Sequence, residues 1–159
     1  MSMDTPSLCL KTDALLEEYC KVLNEESSVE ALPLTISGNS MAPFLVHGRD
    51  TVYLSRIARP LKRGDVVLYR RDNGSYILHR IHSIKGDNHT MIGDAHFGLE
   101  PGIRREQILA IMTSARRKGK LQQPGCFWWE FFRKVWLSVI PLHRPILVLY
   151  TALKGSKHT

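Results

Sequence analysis

The N-terminal part of the chain carries apolar side chains at intervals of three and four residues. Between about Thr12 and Glu25 the opposite side of a helical wheel is charged, and the apolar set is Leu15, Leu16, Tyr19, Val22 and Leu23. This spacing predicts an amphipathic helix. We therefore expect residues 1–31 to form a helical cover that packs on the domain following it.

Between residues 32 and 120 the pattern changes to short β-type runs separated by turn residues. Asp72-Asn-Gly74 predicts a tight hairpin, and Gly86-Asp-Asn88 marks another turn. The strand candidates are residues 34–36, 51–57, 65–69, 76–81, 90–92 and, after a helical turn, 106–113. The expected fold class is mostly β, a complex antiparallel domain with an N-terminal helix and C-terminal amphipathic helices.

The last segment, residues 121–159, is dense in aromatic and basic side chains. All three tryptophans lie between Cys126 and Leu153, while charged residues and two prolines, Pro141 and Pro145, interrupt every apolar run. A membrane-spanning helix needs about 20 nearly continuous apolar residues, so none is predicted. Aromatic rings beside Lys and Arg suit a bilayer interface, so we expect residues 126–153 to contact an anionic membrane surface. The alternative is a pair of helices docked on the core.

Amino-acid composition excludes several classes of protein. With 159 residues, 43% hydrophobic and 23% charged, the chain cannot be collagen-like, low-complexity or disordered throughout. The net charge of +7 is unevenly spread, because residues 1–36 hold seven acidic and two basic side chains. The basic remainder predicts an anionic partner, and charge alone does not separate phospholipid from nucleic acid.

Cysteine spacing and the start of the sequence bear on the compartment. The three cysteines, Cys9, Cys20 and Cys126, form no C-x-x-C pair, so neither a zinc site nor a disulfide framework is indicated. No basic flank followed by an apolar run opens the sequence, so no secretory signal is predicted. We expect the protein on the cytoplasmic side, in peripheral contact with the membrane.

Ser40 is the first candidate for chemistry. A serine hydroxyl becomes a nucleophile when a base takes its proton and backbone donors receive the developing oxyanion. Gly38, two positions earlier, permits a tight turn, and Pro43 suits the opening of a short helical turn. A lone Gly-x-Ser is more often a turn.

His79 is the second candidate, with two carboxylates as possible partners. On a strand it shares a face with Ile77 and Ile81, and such a setting keeps an imidazole neutral near pH 7. Asp94 and, six residues later, Glu100 are alternatives for orienting the ring. Taken singly, each of these residues is more often structural.

Taken together, these residues resemble the signal peptidase family of serine endopeptidases over about residues 34–115. The order and separations match in four stretches, Gly38-x-Ser40-Met41-x-Pro43, Gly64-Asp65, His79-Arg80-Ile81 and Gly93-Asp94. The resemblance implies a signal-peptidase/LexA-like β fold with Ser40 as the nucleophile. It also implies that His79 is the base, as in the archaeal and endoplasmic-reticulum type, where bacterial members generally use lysine.

The resemblance carries expectations for the substrate and shows three departures. Gly38, Met41, Pro43 and Phe44 are expected to bind an extended signal-type or leader-type peptide or preprotein, without metal or organic cofactor. Ala95 replaces the asparagine that follows Gly-Asp in the family, and Glu100 stands where eukaryotic-type members have their acidic partner. Family members also usually have an N-terminal anchor, which is not predicted here.

Two other functions fit parts of the sequence. A self-cleaving LexA-like regulator shares the serine box, but normally uses lysine as base and has a DNA-binding helix-turn-helix, whereas residues 1–30 predict one acidic helix. A non-catalytic basic module would bind membrane or nucleic acid through a patch formed by Arg56, Arg59, Lys62, Arg63, Arg70 and Arg71. Few aromatic residues interleave with that patch, so nucleic acid is not the expected partner.

Overall fold

One antiparallel sheet of eight strands occupies most of the chain between residues 32 and 122. The computed structural model describes residues 5–25, 30–95, 98–139 and 143–155. The strands are β1 Leu32–Thr35, β2 Thr51–Ser55, β3 Val66–Arg70, β4 Tyr76–Lys85, β5 Asn88–Ile92, β6 Glu100–Arg104, β7 Ile108–Arg117 and β8 Lys120–Gln122. They are ordered β1-β2-β7-β3-β4-β5-β6, with β8 paired to β7. At 37% strand and 27% helix, the mostly antiparallel β prediction is confirmed at the level of class.

The predicted hairpins are present. β3 and β4 pair with Val66 opposite Arg80 and Arg70 opposite Tyr76, and Gly74 in the connecting turn has a φ of +90°, which glycine adopts without strain. A second hairpin joins β4 to β5, with Lys85 opposite Asn88. Strand β6 was not predicted because Pro101 and Gly102 are poor strand formers, which an edge strand tolerates.

Helices flank the sheet in sequence. Helix α1 covers Thr5–Glu25 and so begins seven residues before the predicted start. In the last segment, α2 (Phe127–Glu130) continues into a π-helical stretch, Phe131–Trp136, and α3 covers His143–Gly155. Within the described ranges, no helix is both long enough and apolar enough to cross a bilayer.

Two hydrophobic clusters lie against the sheet. The first combines strand residues with side chains of α1, of the loop after β1 and of the last segment, including Leu16, Leu23, Met41, Phe44, Trp129, Phe132 and Trp136. The second consists of Val67, Tyr69, Ile81, Met91, Ile103, Ile108 and Ile111. Because neighbouring residues of a strand point to opposite faces, β4 directs Arg80 to the first cluster and Ile81 to the second. His79 accordingly shares the face of the second cluster.

Candidate active site

The loop between β1 and β2 carries Ser40 and is closed by backbone hydrogen bonds. The Ile36 amide donates to the Asp50 carbonyl at 3.0 Å, and the Gly48 amide donates to the Ile36 carbonyl at 2.9 Å. The buried Asp50 carboxylate also accepts from the Val46 amide at 2.9 Å and the Lys118 amide at 3.1 Å. The loop is therefore held at its base.

Two neighbouring amides of the Ser40 loop differ from those around them in their hydrogen bonding. Ala42 donates to the Asn39 carbonyl at 3.1 Å and Leu45 to the Met41 carbonyl at 2.9 Å. Over the part of the chain that the structure describes, the amides of Ser40 and Met41 donate to no backbone carbonyl. Adjacent unused N–H groups beside a serine hydroxyl are the donors that an oxyanion requires.

The four residues predicted to bind substrate divide into two pairs. Gly38 is exposed, with a φ of +86°, and Pro43 is half-buried. Met41 and Phe44 are buried in the first cluster, and the Phe44 ring lies 4.8 Å from that of Phe132. Met41 and Phe44, which are expected to bind the peptide, are therefore core residues in this structure, and Phe44 packs against the last segment.

A hydrogen bond joins the Ser40 loop to the segment after β5. The Ala95 amide donates to the Ser40 carbonyl at 2.9 Å. One residue earlier, the Asp94 carbonyl accepts from the Trp136 indole at 3.0 Å. Two stretches singled out by the sequence resemblance thus lie side by side, and Trp136 of the last segment supports their junction.

Asp94 is fully engaged by Arg80. The Arg80 Nε and Nη2 atoms each donate to one Asp94 carboxylate oxygen at 2.8 Å, and Nη1 donates to the Gly64 carbonyl at 3.0 Å. The Arg80 guanidinium also lies 5.5 Å from the centre of the Phe44 ring. Asp94 is one of the two candidates for orienting His79, and the contact that the structure gives it is with Arg80, which anchors the segment after β5.

Glu100 is the carboxylate beside His79, and Tyr69 lies between them. The buried Tyr69 hydroxyl donates to Glu100 Oε2 at 2.6 Å and lies 3.3 Å from His79 Nδ1. The direct separation between His79 Nδ1 and Glu100 Oε2 is 4.0 Å. The His79 imidazole is therefore linked to the Glu100 carboxylate mainly through the Tyr69 hydroxyl.

Arg71 completes this network from the solvent side. Its Nε donates to Glu100 Oε1 at 2.6 Å, and its Nη2 donates to Oε2 at 2.8 Å. The hydrogen bonds from Arg71 lower the pKa of Glu100, against an opposing effect of partial burial. Burial, and then the Glu100 carboxylate, raise the pKa of Tyr69. At neutral pH Glu100 is thus ionised and Tyr69 keeps its proton.

Sequence reasoning missed Tyr69 and Arg71, although one signal pointed to Tyr69. Once the hairpin at residues 72–74 is accepted, its register places Val67 opposite His79. Tyr69, two residues along the same strand, is then a diagonal neighbour of His79 on the same face, within reach of a long side chain. Arg71 carries no comparable pattern.

Ser40 and His79 share no hydrogen bond among the described residues, and the His79 ring lies within hydrogen-bond distance of the Tyr69 hydroxyl. The Ser40 loop packs on the Arg80 face of β4, whereas His79 faces Tyr69. Their link runs through Ala95 and Asp94 to Arg80, the neighbour of His79.

The predicted basic patch is largely occupied by internal contacts. Arg59 pairs with Asp65 at 2.8 Å, Arg71 binds Glu100, Arg63 donates to the His82 carbonyl, and Arg70 lies over the Tyr76 ring. These contacts leave fewer cations to bind phosphate. As for metals, the described part of the chain holds no group of three or more His, Cys, Asp or Glu side chains arranged around a common ion.

The aromatic segment docks with one side and exposes the other. Trp129, Phe132 and Trp136 are buried in the first cluster, as the docked alternative predicts. Phe127 is 72% exposed and Trp128 43% exposed, and the Arg117 guanidinium lies 5.2 Å from the Trp128 ring centre. The exposed side keeps the mixture of aromatic and basic groups that predicted an interface.

Comparison with known proteins identified no matching family model, no matching curated protein and no matching solved structure.

Proposed function

We propose that this chain is a signal-peptidase-like serine endopeptidase that cleaves signal-type or leader-type peptides, with Ser40 as nucleophile and His79 as base. The hydrogen bond from the Ala95 amide to the Ser40 carbonyl carries the proposal. It joins two segments more than fifty residues apart that the sequence resemblance had already singled out. The unused amides of Ser40 and Met41 add the second requirement of acyl transfer, an oxyanion site.

The proposed reaction follows the order of general-base catalysis. When a peptide binds, His79 accepts the Ser40 proton as Oγ attacks the scissile carbonyl carbon, and the amides of Ser40 and Met41 bind the oxyanion. His79 then protonates the leaving amine, and water hydrolyses the acyl ester by the same route. The Ser40 loop and the His79 ring lie on opposite faces of β4, so the mechanism requires the Ser40 hydroxyl to come within hydrogen-bond reach of the ring when peptide binds.

The sheet offers a place for an extended substrate. Among the strands that the structure describes, β1 lies at one edge of the sheet and pairs only with β2. It leads within a few residues into the Ser40 loop. An extended peptide that added to β1 as a further strand would have its backbone hydrogen-bonded next to Ser40.

The decisive experiment uses the purified full chain and a library of extended signal-type and leader-type peptides, with products read by mass spectrometry. Ser40→Ala and His79→Ala are each expected to lower the cleavage rate by about 10³-fold or more. Ser37→Ala, at an exposed position in the same segment, serves as the matched control. Cleavage by Ser40→Ala at the parent rate would overturn the proposal. Fragments formed by the protein incubated alone would instead support the self-cleaving alternative.

A second proposal concerns the membrane. We propose that Phe127 and Trp128 make peripheral contact with an anionic bilayer on the cytoplasmic side. Apolar side chains of α3 are also exposed, namely Ile146, Val148, Leu149 and Leu153. Exposed aromatic and aliphatic side chains suit the bilayer interface, where they enter the headgroup region.

Vesicle flotation tests the membrane proposal directly. The full chain is expected to float with vesicles containing anionic phosphatidylglycerol and to stay at the bottom with pure phosphatidylcholine. Phe127→Ser with Trp128→Ser is expected to abolish flotation, whereas Leu15→Ser, an exposed apolar residue of α1, retains it. Equal flotation of both variants would contradict the assignment of these two residues.

A further inference from the structure

We propose that Tyr69 is a positioning residue that fixes the tautomer of His79, so that Nδ1 carries the proton and Nε2 carries the lone pair. The inference follows from the direction of one hydrogen bond. The inference about the tautomer stands on this geometry, and only the role of that tautomer in catalysis rests on the proposed function.

The first step is the proton of the Tyr69 hydroxyl. A phenol has a single O–H donor, and Tyr69 lies 2.6 Å from Glu100 Oε2. An ionised carboxylate can only accept a hydrogen bond, so the Tyr69 proton must point at Glu100. Arg71 holds the carboxylate in place with two hydrogen bonds of 2.6 and 2.8 Å.

The second step concerns the hydrogen bond between the Tyr69 hydroxyl oxygen and His79. With its proton committed to Glu100, the Tyr69 oxygen can only accept from His79 Nδ1, which lies 3.3 Å away. A neutral imidazole has one protonated and one unprotonated nitrogen. A proton on Nδ1 therefore leaves the lone pair on Nε2, the arrangement in which a histidine base receives a proton at Nε2.

The third step is the charge that follows proton transfer. Once Nε2 has taken a proton, both ring nitrogens donate and the ring is cationic. Glu100 Oε2 lies 4.0 Å from Nδ1, close enough to favour the cation in a partly buried setting. Tyr69 thus connects Glu100, on strand β6, to the His79 ring, and Glu100 orients the ring through this hydroxyl.

The test reads the tautomer by long-range ¹H–¹⁵N NMR on the full chain with labelled histidine, the His79 signals being assigned by their loss in His79→Gln. At neutral pH the parent is expected to show Nδ1 protonated. Tyr69→Phe keeps the ring and removes the oxygen, so it is expected to shift His79 toward the Nε2-protonated form. Tyr53→Phe, on β2 away from His79, is the matched control and should leave His79 unchanged. An Nε2-protonated parent, or a Tyr69→Phe protein with an unchanged tautomer, would overturn the inference.

A second variant keeps the test decisive if Tyr69→Phe fails to fold. Glu100→Gln offers Tyr69 an amide donor as well as an acceptor, which frees the phenol proton to turn toward His79. We expect this variant also to move the tautomer toward protonated Nε2, and an unchanged tautomer counts against the inference.

Kinetics separate this inference from the proposed function. On a cleaved peptide, Tyr69→Phe is expected to lower kcat by about 10- to 100-fold, within the share of rate that a positioned base supplies, with KM nearly unchanged. A tautomer shift without any Ser40-dependent cleavage would sustain the positioning role and overturn the peptidase. Ser40-dependent cleavage with neither a tautomer shift nor a fall in kcat would overturn the positioning role alone.

Discussion

Two arginines of the β3–β4 hairpin each bind a carboxylate from a later segment, and the two pairs differ more in their exposure to solvent than in their geometry. Arg80 grips Asp94 with two hydrogen bonds of 2.8 Å, and Arg71 grips Glu100 with bonds of 2.6 and 2.8 Å. The first pair is buried, at 3% and 1% side-chain exposure. The second retains 35% and 27%. The same bidentate arginine–carboxylate pair therefore occurs once in the core and once near the surface.

The difference in burial gives the two pairs different roles in the protein. A buried pair has given up its hydration, so either partner left alone is strongly unfavourable. A partly exposed pair is screened by solvent and contributes little to folding. The Arg80–Asp94 pair accordingly anchors the segment that binds the Ser40 carbonyl. The Arg71–Glu100 pair contributes little to stability, and its carboxylate orients Tyr69 and, through it, His79.

Removing the charge of Asp94 should have the largest effect on stability. Asp94→Asn keeps the side-chain shape and leaves the Arg80 guanidinium buried without its anion, so we expect a loss of about 3–5 kcal/mol in the free energy of unfolding. Urea denaturation of the full chain measures it. Glu100→Gln is the matched comparison and should lose about 1 kcal/mol or less. Equal losses in the two variants would erase the distinction between the pairs.

A smaller effect is expected at Gly64, whose carbonyl is the third acceptor of Arg80. Gly64 has a φ of +94°, and an added Cβ would collide with the Arg133 side chain and lie 2.9 Å from its carbonyl oxygen. Gly102, with a φ of +81°, has open space around the same position. Gly64→Ala should therefore lose about 1–2 kcal/mol more than Gly102→Ala, beyond the backbone strain that both share. Indistinguishable unfolding curves would mean that Arg133 yields freely.

The smallest effect is the pH dependence of the exposed pair. The Arg71 hydrogen bonds lower the pKa of Glu100 in the folded protein below its ordinary value of 4.5. Its contribution to stability is thus fully present above about pH 4.5 and is lost as the pH falls through the lowered pKa. The stability difference between the parent and Glu100→Gln, measured in urea at neutral pH and in acid, should shrink toward zero in acid. A difference that grows on acidification would reverse this assignment.

Local patterns in the sequence predicted the parts of this molecule that depend on near neighbours. The apolar spacing of α1 and the turn at residues 72–74 gave the helix and the central hairpin, because helix period and hairpin turns are local properties. The hairpin register in turn placed Tyr69 beside His79. The four stretches that resemble signal peptidases remain a prediction of function.

Contacts between distant segments were beyond that reasoning. Nothing local in Asp94 reveals that Arg80, fourteen positions earlier, takes both of its oxygens. Met41 and Phe44 are expected to bind the peptide, but apolar side chains beside a serine suit a core as well as a binding cleft. The choice between the two depended on where Phe132 would lie, which only the assembled fold decides.

The placement of Trp136 and Phe132 has a consequence for biosynthesis. The indole that binds the Asp94 carbonyl and the ring that packs on Phe44 are synthesised nearly a hundred residues after Ser40. A nascent chain that has emerged only as far as β8 lacks these supports, so the region around Ser40 reaches its final form only after Trp136 has left the ribosome.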